Sequence, residues 1–210
     1  MHPAIVIFAG AALVIGIIVY LVRKYEQERT AGLTEVFRDL SFRPVESTGI
    51  PDFRITSKGH SRKRTNNFEG RASGLDLSIF DYRYTVGGGK NQTTYKFTMV
   101  MTETSCPAFQ LYKEGLFQKI ADKFSKADID FEGHPIFSDK YVLKGDDEQA
   151  VRTLFSPDVL LHFENTQWCA ESNGSQLVFW KHNKRIKPEH MNEFLNSVKP
   201  CFKLFVKSTF

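Results

Sequence analysis

Cysteine is scarce in this 210-residue chain: Cys106, Cys169 and Cys201 are the only three, and no two stand in a C-x-x-C spacing. An odd, sparse set argues against a disulfide framework or a thiolate zinc site and fits buried free thiols in a reducing compartment. Metal and catalytic spacings are missing as well. The six histidines form no H-E-x-x-H pattern. Gly87-Gly88-Gly89-Lys90 lacks the other residues of a phosphate loop, since Tyr84 stands where a glycine is needed and Asn91 where Ser or Thr is needed. There is no internal repeat and no low-complexity segment. Charge is missing in one long stretch: from Ala4 to Val22 there is no Asp, Glu, Lys or Arg. No basic side chain precedes it, which argues against the n-region of a secretory signal peptide, and the lack of a polar face argues against an interfacial helix.

What is present starts with that same stretch, AIVIFAGAALVIGIIVYLV. As a helix it would reach about 28 Å, close to the hydrocarbon thickness of a bilayer. Twelve of its residues are Ile, Val, Leu or Phe, so insertion is favoured by roughly 4–7 kcal/mol before its glycines are counted. The expectation is an uncleaved single-pass anchor over residues 1–23 that takes the lipid bilayer as partner through residues 4–22. Ala12 and Gly16 form a small-xxx-small pair that would let two such helices approach. Arg23 and Lys24 follow the stretch directly, and by the positive-inside tendency they place residues 23–210 in the cytoplasm, at a plasma or inner membrane.

Residues 24–42 read as a juxtamembrane helix with Leu33, Val36, Phe37 and Leu40 as its docking stripe, ended at Arg43-Pro44. Residues 43–210 suit one soluble domain with a substantial core, to which 19 phenylalanines contribute. Residues 44–66 read as a loop. Leu75 to Val86 and Tyr95 to Met101 alternate as a long hairpin about the glycine turn, with a parity switch at Ile79-Phe80 that implies a bulge or a strand buried on both faces. Pro107 to Tyr112, Asp128 to Phe131 and Ile136 to Leu143 read as short strands. Leu116 to Phe124, Asp146 to Phe155 and Ser156 to Glu164 read as helices. A second hairpin spans Trp168 to Lys181. Pro188 opens a final helix that Pro200 interrupts. Hairpins mixed with helices, without regular βαβ alternation, indicate an α+β fold with antiparallel sheet packed with helices.

Pro107-Ala108-Phe109-Gln110-Leu111, Asp128-Ile129-Asp130-Phe131, His134-Pro135-Ile136-Phe137-Ser138, Tyr141-Val142-Leu143 and Val151-Arg152-Thr153-Leu154-Phe155 together resemble a pattern in uncharacterised bacterial single-pass membrane-anchored proteins. The resemblance covers roughly residues 70–200. It implies membrane location and a shared fold. It brings no activity, cofactor, metal or site residue.

The function these residues suggest is a membrane-tethered, non-enzymatic domain that binds a protein partner or the membrane surface. The alternative is a membrane-bound, hydrolase-like enzyme using the Asp128–His134 region. A strand there would put Asp128, Asp130 and Glu132, with His134 as a further candidate, on one face, where their oxygens could hold a hard cation or simply form the solvated face of a strand that buries Ile129 and Phe131. His162 reads as a packing residue and Cys106 as a structural thiol. Two basic clusters, residues 54–71 and Lys181 to Lys187, offer contact with anionic lipid. Aromatic residues do not interleave with them, so nucleic acid is not expected. The sequons at Asn91 and Asn173 coincide with turns.

Overall fold

The computed structural model describes residues 3–115 and 128–206; the side chains of residues 1–9 and 11 lie outside that description. The helix expected over Leu116 to Phe124 falls outside it. The first element is one unbroken helix, α1 (Pro3–Asp39). Among the described residues no helix is long and apolar enough to cross a membrane, so the expected transmembrane span over residues 4–22 finds no support there.

The domain is built on one antiparallel sheet of eight strands: β1 (Phe42–Pro44), β2 (His60–Ala72), β3 (Leu75–Val86), β4 (Thr93–Glu103), β5 (Phe109–Lys113), β6 (Tyr141–Gly145), β7 (Trp168–Ser172) and β8 (Gln176–Lys181). Their order across the sheet is β1-β2-β3-β4-β8-β7-β5-β6. The α+β class with antiparallel hairpins is therefore observed. The β3–β4 register runs without a break from Ser78↔Met101 to Val86↔Thr93. The parity switch at Ile79-Phe80 is thus a strand buried on both faces. The irregularities sit instead in β2, between His60 and Lys63 and between Thr65 and Phe68.

Two cores follow from this alternation. On one face, Leu77, Ile79, Val100, Leu111, Leu143 and Phe179 pack beneath the C-terminal half of α1 and beneath α4 (Glu148–Leu154), α5 (Pro157–Glu164) and α6 (Met191–Val206). On the other, Phe80, Tyr82, Phe97, Met99 and Trp180 pack beneath Phe53 and Ile55. Residues 44–66 are consequently not one loop. They comprise the end of β1, a covering segment with the short helix α2 (Arg54–Ser57), and the first half of β2. Two anchoring apolar residues suffice because side chains pin the segment: Tyr82 donates to the Thr56 carbonyl at 2.8 Å, Arg64 to the Gly49 carbonyl at 3.0 Å, and Asn173 to the Asp52 carbonyl at 3.0 Å.

Other expectations are corrected. Residues 128–131 are not a strand, and Pro135–Lys140 is a short helix, α3, with β6 starting only at Tyr141. A 3-10 turn at Pro188–His190 precedes α6, which continues through Pro200 rather than stopping there. Val198 before the proline and Cys201, Phe202 and Phe205 after it are all buried, so packing on both sides outweighs the lost backbone hydrogen bond. Gly32, which reads as a weak point in α1, is where the helix meets Pro188: a Cβ there would lie 3.1 Å from the proline ring.

Gly70 has a similar reason. It pairs with Phe42 of β1, and a Cβ would fall 2.5 Å from the Phe42 ring, which also packs on Phe37 of α1. Replacing Gly70 by Ala is expected to cost about 1–3 kcal/mol by overpacking, read as a lower urea midpoint. An unchanged midpoint would show that β1 moves aside freely.

Candidate functional site

Two constructions stand out on the sheet. The first joins α1 to the domain. Asp81 lies on the helix-covered face of β3 and is 4% exposed; Arg29 of α1 is 5% exposed. Arg29 grips the carboxylate with both ends of its fork, Nε to Oδ2 at 2.8 Å and Nη2 to Oδ1 at 2.9 Å. Thr98 Oγ1 and Asn66 Nδ2 donate to the same carboxylate at 2.9 and 2.8 Å, and Arg185 Nε at 3.0 Å. Arg185 in turn holds Glu26 of α1 through Nη1 at 2.6 Å and through Nη2. Two cations face two carboxylates, so the cluster is neutral and its charges are hydrogen-bonded, as burial demands. Burial pushes the Asp81 carboxyl up, but Arg29, Arg185 and Asn66 outweigh it and hold the group below the usual range. For Glu26 the Arg185 bond outweighs burial and lowers it likewise.

The second construction is a cleft of about 620 Å³ on the opposite face, between α2 and strands β5, β6 and β7. Register aligns Lys144, Gln110 and Glu171 across it. Glu171 is 1% exposed and accepts hydrogen bonds from the backbone amides of Arg54 and Ile55 and from Tyr112 Oη, the last at 2.9 Å. Burial raises its carboxyl to about 7 against the pull of those donors and of Lys58. Both carboxylate oxygens are committed to holding α2 on the sheet, so a positioning role suits Glu171 better than proton transfer to a ligand. Gln110 is 7% exposed, and its Oε1 has no hydrogen-bond partner.

Of the residues singled out for an enzyme, Asp130, Glu132 and His134 line one pocket together with Arg152, whereas Asp128 is not part of it. The Asp128 carboxylate accepts from the amides of Ile129 and Leu143 at 2.9 and 2.7 Å, a backbone-holding task. His134 Nδ1 lies 3.0 Å from Glu164 of α5, away from that carboxylate's partners. Among the described residues no cluster of three or more His, Cys, Asp or Glu side chains could hold a metal. Cys106, Cys169 and Cys201 are buried free thiols. Burial raises all three, Cys169 and Cys201 to about 12, which keeps them protonated and poor nucleophiles. His162 is half-buried with Nε2 3.2 Å from the Cys201 sulfur, a packing position.

The basic stretch 54–71 is also not a loop but α2 and β2. Arg64 is spent inside it, its guanidinium 4.3 Å from the Phe80 ring. Asn173 Oδ1 accepts from the amides of Ser175 and Gln176, so this sequon asparagine builds the β7–β8 turn. The chain matches no family model, no curated protein and no solved structure.

Proposed function

We propose that this chain is a membrane-tethered, non-catalytic binding domain, with residues 4–22 seated in the bilayer and the sheet domain in the cytoplasm. The observation that carries the reading is α1 itself. Its C-terminal half is bolted into the sheet by the Arg29–Asp81–Arg185–Glu26 cluster and by buried Leu33 and Phe37. Its described N-terminal part presents exposed apolar side chains from Leu13 to Val22, with no charge until Arg23. An apolar helix surface of that extent needs a cover, and the whole uncharged stretch 4–22 to which it belongs would reach about 28 Å, close to a bilayer's hydrocarbon thickness. Arg23 and Lys24 set the orientation. A tether fixed to the sheet, rather than joined by a flexible linker, holds the domain in one attitude to the membrane. The cleft beneath α2 is then the recess available to a partner.

Alkaline carbonate extraction of membranes from expressing cells tests the tether, and C-terminal reporters active on one side only test the topology. The reading expects retention in the pellet, an intact N-terminus by mass, and activity of the inside reporter. Release to the supernatant would overturn the tether, and activity of the outside reporter alone would reverse the topology.

A further inference from the structure

Next to the neutral cluster the sheet carries a row of the opposite character. Lys63 of β2 stands opposite Arg83 of β3, which stands opposite Lys96 of β4. Partners in register share a face, and Arg83 lies two residues beyond Asp81, so this is the face on which α1 lies. All three residues are exposed. With strands about 4.8 Å apart, three like charges fall within roughly 10 Å, an arrangement that destabilises a sheet unless something answers it. No carboxylate among the described residues forms a salt bridge with any of the three.

The path of α1 gives the row its direction. Phe37 packs on Phe68, which pairs with Ile79; Arg29 meets Asp81 and Thr98; Glu26 feels the charge of Lys96. Going back along the helix therefore means advancing along the sheet toward the β3–β4 turn, and the next residues back are Lys24, Arg23 and the apolar stretch. The row lies on the side of the domain from which that stretch departs.

We propose that Lys63, Arg83 and Lys96 form a seat for the anionic headgroups of the leaflet that α1 enters. The proposal rests on the tether reading and refines it: the helix fixes location, and the row fixes which side of the domain turns toward the membrane. It also moves the lipid contact from the stretch 54–71 as a whole to the one residue of it, Lys63, that belongs to this row.

The test reconstitutes the full chain into vesicles of phosphatidylcholine, with or without phosphatidylglycerol. It measures acylation rates of individual lysines by mass spectrometry after flotation. Lys63 and Lys96 are expected to react about fivefold more slowly on the anionic vesicles. The difference should vanish as salt rises from about 0.1 M to about 1 M. Exposed Lys203 should not change; its neighbour Phe205 stacks on Phe109 at the far end of the sheet. Arg83→Gln should shrink the protection. Flotation with equal rates on both vesicles, or protection undiminished by Arg83→Gln, would overturn the headgroup seat and leave the tether standing. Failure to float with either vesicle would overturn both.

Discussion

Replacing Asp81 by Ala should cost about 3–5 kcal/mol of stability, the largest effect expected of any single polar substitution in this chain. The change leaves Arg29, buried at 5% exposure, without its carboxylate, and leaves Arg185 with Glu26 alone. Most of the loss is the cost of a stranded buried cation, not the net worth of the pair. The double replacement Arg29→Met with Asp81→Leu should therefore recover much of it, because apolar residues of similar volume need no partner. Urea unfolding of the full chain in detergent micelles reads both. If Asp81→Ala stays within about 0.5 kcal/mol of the parent, the range of ordinary surface changes, the cluster is hydrated and does not bolt α1 to the sheet.

Glu171 should make stability fall as pH rises through the range where most proteins are steady. Its folded carboxyl titrates near 7, raised by burial above an ordinary value of 4.5. Below pH 4.5 both folded and unfolded chains hold the proton, and this contribution is fully present. Between about 4.5 and 7 the unfolded chain releases its proton while the folded chain keeps it, so the contribution is lost as pH rises, by on the order of 3 kcal/mol in total. Above 7 it is constant. The difference between parent and Glu171→Gln, measured by urea unfolding across this window, isolates the group. A difference that does not change with pH would mean that the three donors hold Glu171 ionised throughout. The physical consequence is local: α2 and its covering segment are attached through this carboxyl and are the first part to feel its ionisation.

The sequence makes the repetitive parts of this molecule legible. Alternation marks the hairpin of β3 and β4 and the hairpin of β7 and β8, and helical spacing marks the docking stripe of α1 and the buried face of α6. These signals survive because each element buries a regular pattern of its own. The covering segment is illegible for the opposite reason. Phe53 and Ile55 are the only two buried apolar residues of a run rich in Pro, Gly and charge, and their partners Tyr82 and Trp180 come from distant strands. The same holds for β2, whose exposed basic residues and two irregular steps hide its period. Asp128 and His134 look like a ligand set only if the chain is extended there. The turn and α3 that follow separate their roles. The buried cluster is the plainest case. Arg29, Asp81 and Arg185 are ordinary charges in the sequence, separated by 52 and 104 residues, and only the fold brings them together. A trace of it was readable: Asp81 is an acid in the middle of a strand that is otherwise apolar on both faces from Leu77 to Tyr84, apart from Ser78 and Arg83. A mid-strand acid of that kind needs a buried cation.

A domain fixed to a helix embedded in the bilayer holds a constant distance between a spin label on α1 at Leu21 and one on the β3–β4 turn at Lys90, which pulsed electron resonance measures on the full chain in vesicles. Both positions are exposed, and the three native thiols are buried. A single narrow distance distribution that broadens on Asp81→Ala is expected, together with relaxation of the Leu21 label by lipid-soluble oxygen rather than by water-soluble nickel. A distribution already broad in the parent chain, or a Leu21 label reached chiefly by nickel, would contradict a fixed, embedded helix.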